Sequence, residues 1–173
     1  LVIGIIIMQL LMVKRGTEDI FFMYKKLLID NYEKLVENEK KVIHYLLDHS
    51  TYFYFTTIRE KLVDNSVYFD KGTTLLTPYI IKIIEDLDEW PIDFIGKRDG
   101  EVFILLRCCE EVKTIIDNIA NVFCLADNMF ENIGFIKEDK LLFASITHEN
   151  IAFFIDPKKS AIAFMKETGV SLF

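Results

Sequence analysis

The side chains best suited to chemistry in this sequence are three histidines, three cysteines and several adjacent carboxylates. His44 and His49 are five residues apart, so on one helix they point to different sides. Cys108 and Cys109 are adjacent and would alternate across a strand, and neither spacing suits a tetrahedral zinc site. His148-Glu149 lacks the second histidine of the H-E-x-x-H zinc helix, because Ala152 stands there. No metal site is expected. A nucleophile needs a base within hydrogen-bond reach and a third group to orient that base. Ser145, Thr147, His148 and Glu149 are close in sequence, but no glycine-rich elbow accompanies them. No activated-thiol signature surrounds Cys108, Cys109 or Cys124. These residues read first as turn formers that satisfy backbone groups, and no catalytic residue is expected. Thr147, His148 and Glu149 remain a candidate polar cluster, an imidazole beside a carboxylate at the end of a buried strand. Neither G-x-G-x-x-G nor a Walker pattern occurs, so no cofactor is expected.

The carboxylates carry the second signal. Glu85-Asp86, Asp88-Glu89 and Glu110-Glu111 form pairs in a chain of formal net charge −7. Solvated helix ends are the ordinary reading, and an acidic face for a basic protein partner is the sharper one. The charge balance disfavours nucleic acid, whose affinity comes mostly from Lys and Arg neutralising phosphates. An odd number of cysteines with an adjacent pair argues against a disulfide framework and for reduced thiols in a cytosolic protein. Sixteen Lys against four Arg, with abundant Ile, Asn and Phe, points to an AT-rich genome.

The elements that must position these groups change period along the chain. Thr17-Glu18-Asp19 reads as a helix start, followed by helical spacing through Ile20, Tyr24, Leu27, Leu28 and Leu35. A second helix is expected over 37–48, burying Val42, Ile43, Leu46 and Leu47. Tyr52–Phe55 reads as a buried strand or a packed connection, and Thr56 or Thr57 then caps a short helix to about Val63. Asp64–Gly72 is a polar loop, and Thr77-Pro78 opens a helix through Leu87 that Trp90-Pro91 stops. Beyond Trp90 the pattern alternates. Residues 91–107 read as a hairpin turning at Arg98-Asp99-Gly100, and 110–123 as a helix. Strands are expected over 133–137, 141–147 and 151–155, with a short edge strand at Ala161–Met165. This order predicts an α+β fold, N-terminal helices packed on a mainly antiparallel sheet formed by the C-terminal half. Residues 17–173 are read as a single domain, and 1–16 as an apolar N-terminal extension. Leu1–Val13 is too short to cross a bilayer as a helix. It reads as a core element, an extension, or a segment that associates with a membrane surface, and no other membrane contact is expected.

Two stretches resemble known families. Asn31, Tyr32, Leu35, Glu39, Lys40, Lys41, Tyr45, Leu46 and Leu47, within residues 28–62, resemble the opening of the RpiR-type helix-turn-helix regulators. That resemblance implies a recognition helix at Thr77–Leu87, a wing at Ile92–Leu106 and a basic stripe drawn from Lys40, Lys41, Arg59, Lys61, Lys71, Lys97 and Arg98. The Gly-Val-Ser and Ala-Thr-Ile turn of that family is missing. Within residues 91–156, Phe135-Ile136-Lys137 and Leu142–Glu149 resemble the closing strands of small bacterial immunity-type α+β proteins. The expected function is a non-enzymatic protein-binding module of a bacterial cytosolic protein, in the toxin-neutralising class. The alternative is a winged-helix DNA-binding regulator, and a hydrolase built on His148 is a third reading.

Overall fold

A computed structural model describes residues 10–12, 21–23, 26–58, 62–63, 66–67, 73–86, 99–118, 122–123 and 132–173. Two small antiparallel pairs, β1 (Leu10–Met12) with β2 (Phe21–Met23) and β5 (Leu62–Val63) with β6 (Ser66–Val67), stand apart from the main sheet. The sheet has seven strands, in the order β3 (Lys26–Leu28), β11 (Ile151–Ile155), β10 (Lys140–Ile146), β9 (Asn132–Lys137), β4 (Tyr52–Ile58), β8 (Glu101–Arg107), β7 (Ile80–Ile84). Every neighbouring pair is antiparallel. Four α-helices, α1 (Tyr32–Glu37), α2 (Glu39–His49), α3 (Glu110–Asp117) and α4 (Lys159–Glu167), and two 3-10 turns, Thr73–Tyr79 and Thr147–Glu149, complete the described elements.

The fold is α+β, as the sequence predicts, but the halves are more interleaved than expected. β3, β4 and β7 come from before Trp90, and α3 and α4 from after it. Alternation along each strand separates two faces. Phe53 and Phe55 of β4, Ile104 and Leu106 of β8, Phe135, Phe143 and Phe154 share one cluster with Leu35, Val42, Ile43, Leu46, Val112, Ile116 and Met165 of the helices. Tyr54, Phe103, Ile136, Ala144, Ile146 and Phe153 bury on the opposite face. β4 and β8 are buried on both faces, which explains their near-continuous apolar runs.

Local chemistry accounts for the departures from the expected elements. Asn31 caps α1, its Oδ1 accepting from the Lys34 amide at 3.0 Å, so this helix begins at Tyr32; the expected start at Thr17-Glu18-Asp19 lies outside the described residues. Upstream, Lys26–Leu28 pairs with β11 as a strand. Thr56 and Thr57 are buried within β4 and do not cap a helix. Thr73–Tyr79 is a 3-10 turn, and Ile80-Ile81-Lys82-Ile83-Ile84, four of five residues β-branched, leaves it as a strand against β8. The expected recognition helix over 77–87 is therefore replaced by a turn and a strand. β8 pairs with β4 and β7, while Ile92 and Phe94, expected as its hairpin partner, lie outside the described residues. Ala161–Met165 belongs to α4: Ala161 and Met165, four apart, both bury, as one face of a helix requires. Gly169, at φ 77°, closes α4, and the chain returns so that Leu172 bridges Ile29 along the outer side of β3. Such cover blunts a sheet edge.

Between α2 and α3 runs a ladder of polar contacts. Lys40 Nζ donates to the Asp117 carbonyl at 2.8 Å, His44 Nε2 meets Asp117 Oδ1 at 2.7 Å, and Asp48 pairs with Lys113. Lys40, His44 and Asp48 recur every fourth residue and so share one stripe of α2.

Candidate functional site

Of the six acidic residues singled out by sequence, the four described ones fall in two separate places. Glu85 and Asp86 are exposed and follow the end of β7. Glu110 and Glu111 are exposed in the first turn of α3. Ile84 lies beside Phe103, whereas α3 follows Arg107. The stretch from Phe103 to Arg107 alone separates the two pairs by about 13 Å at about 3.3 Å per residue. Asp88 and Glu89 lie outside the described residues. Glu110 pairs at 3.1 Å with Lys113. Glu111 is held below the usual carboxylate range by its own backbone N–H and then by the Cys109 thiol. Both acids do the ordinary work of complementing a helix N-terminus.

His148 and Glu149 meet at a turn, while the Ser145 and Thr147 side chains are buried. Thr147–Glu149 is a single 3-10 turn closed by Asn150 in the left-handed region, at φ 54°. His148 Nε2 lies 3.5 Å from Glu149 Oε1, and its Nδ1 is enclosed with no hydrogen-bond partner among the described residues. Ser145 is fully buried. Its Oγ accepts from the Ile133 amide at 3.3 Å, donates to the Ile133 carbonyl at 3.4 Å and lies 3.4 Å from Thr147 Oγ1. A hydroxyl so enclosed and so bonded is a strand-pairing device, out of reach of a substrate. The expected polar cluster thus comprises an imidazole–carboxylate contact at a turn and a buried Thr147 hydroxyl near that of Ser145.

A second polar group, which the sequence did not disclose, sits near the same end of the sheet on the face opposite the helices. Thr56 pairs in register with Asn132, and Glu101 is diagonal to Thr56 across the β4–β8 ladder. Alternation places all three on one face. Thr56 Oγ1 donates to Glu101 Oε1, and Asn132 Nδ2 donates to Glu101 Oε1 at 2.9 Å and to Thr56 Oγ1 at 3.1 Å. All three residues are buried. Tyr54, two residues before Thr56, stacks its ring on Phe103 at 4.5 Å between centroids. Burial pushes the Tyr54 hydroxyl well above its ordinary range, and the Glu101 charge adds to the effect. Of the three, the sequence placed only Glu101 in a strand, and their convergence depends on a register visible only in the folded sheet. Among the described residues, no three His, Cys, Asp or Glu side chains converge to hold a metal ion.

At the opposite end of the sheet, Cys108 and Cys109 are partly buried against the helix-side core. Burial, and then the neighbouring Cys109, pushes the Cys108 thiol up to about 12, and burial also raises Cys109. The folded chain keeps Cys108 and Tyr54 protonated, whereas the unfolded chain releases those protons near the ordinary values of 9.0 and 10.0. Their contribution to stability is therefore complete below about pH 9 and is lost as pH rises towards the folded values. Urea midpoints are expected to fall from about pH 9 to about pH 11. At about pH 8, Cys108 should alkylate roughly a thousandfold more slowly in the folded protein than in urea, following its thiolate fraction. Equal alkylation rates in the two states would contradict this placement.

Three large apolar side chains are exposed among the described residues: Leu75 (56%), Ile81 (45%) and Phe173 (41%). Two of them lie on the continuous 3-10 turn and strand at the outer side of β8. Ile81 sits at a bulge, where the pairing shifts between Ile80↔Leu106 and Lys82↔Leu105. Thr77, Pro78, Lys82, Glu85 and Asp86 are exposed along the same segment. Among the described residues, no helix is long and apolar enough to cross a membrane. Comparison with protein-family models, with curated proteins and with solved structures finds no match to this chain.

Proposed function

We propose that the chain is a non-enzymatic protein-binding module for a basic partner, in the toxin-neutralising class that the sequence suggests. The observation that carries this reading is the exposure of two large apolar side chains, Leu75 and Ile81, on the segment that leads to Glu85 and Asp86. Apolar groups set among polar ones are the common anatomy of a recognition surface. Water leaving Leu75 and Ile81 would supply affinity, at about 25 cal/mol per Å² of apolar surface covered. Glu85 and Asp86 would steer a cationic partner and favour its approach at low salt.

The experiment is affinity capture from the native host on immobilised wild type and on a Leu75→Ser/Ile81→Ser variant, at about 0.05 M and about 0.5 M salt. A basic protein retained by wild type at low salt is expected, with binding roughly tenfold weaker in the variant, a loss of about 1.4 kcal/mol. The higher salt should weaken it as well. Recovery of no protein, or capture indifferent to both the substitutions and the salt, would remove the proposal.

A further inference from the structure

We draw no further inference here: the strongest candidate, the buried Thr56–Glu101–Asn132 cluster on the sheet face opposite the helices, belongs to the site already described, and nothing among the described residues points to a ligand for it.

Discussion

Gly134→Ala is expected to destabilise the protein by about 3 kcal/mol or more, at the upper end of what overpacking a core costs. A Cβ built at Gly134 would fall inside the Tyr54 ring, against Cε1, Cζ and the hydroxyl oxygen. The ring has little room to yield. Tyr54 is fully buried and stacks on Phe103, and the neighbouring strand holds Gly134 in register with Tyr54. In a chain of this size each kcal/mol moves the melting temperature by about 2–4 °C, so a drop of about 6–12 °C should be seen. Tyr54→Leu in the same background should recover part of the loss, with a coupling of at least about 1 kcal/mol in the double-mutant cycle. A Gly134→Ala protein that melts within about 2 °C of wild type would show that Tyr54 does not lie across that glycine.

Glu101→Ala is expected to cost about 2–4 kcal/mol. The carboxylate accepts from Thr56 and Asn132 inside a buried layer, and its removal strands donors that water cannot reach. Each buried group left without its partner costs about 1–3 kcal/mol, and the Asn132 Nδ2 loses its bond to Glu101 while keeping that to Thr56. Glu101→Gln retains an acceptor oxygen and should cost less than Glu101→Ala. Asn132→Ala should cost less in the Glu101→Ala background than in wild type, because the network members act together. Urea unfolding measures all three. A Glu101→Ala protein within about 0.5 kcal/mol of wild type would mean the carboxylate is solvated, as most surface substitutions fall in that range.

Some of this was legible in the sequence, for identifiable reasons. The second helix was readable because Val42, Ile43, Leu46 and Leu47 recur at helical spacing, and all four are buried in α2. The meander was readable because its turns announce themselves. Glu138 and Asp139 sit at positive φ between β9 and β10, and Asn150 does so after β10. Ile80–Ile84 and Ala161–Met165 were not readable, because short apolar runs fit either period and their partners decide. In the first, pairing with β8 imposed a strand. In the second, the absence of β-branching apart from Ile162 left a helix free to form, and Ala161 and Met165 pack it on the core. For the site, the acidic pairs were visible as composition but not as geometry. Glu85-Asp86 and Glu110-Glu111 part company because β8 runs between them. Glu101 read as the first residue of a strand, and only the pairing of β4 with both neighbours brings it to Thr56 and Asn132.

Tyr52–Ile58 is an interior strand with β8 on one side and β9 on the other, and the buried network, the Tyr54–Gly134 contact and the outer position of β7 all follow from that placement. Nuclear Overhauser contacts between backbone protons test it most directly. Tyr54 should show cross-strand contacts to both Leu105 and Gly134, and Thr56 to both Phe103 and Asn132. Sequential helical contacts from Thr56 onward, with no cross-strand contact to either neighbour, would contradict it.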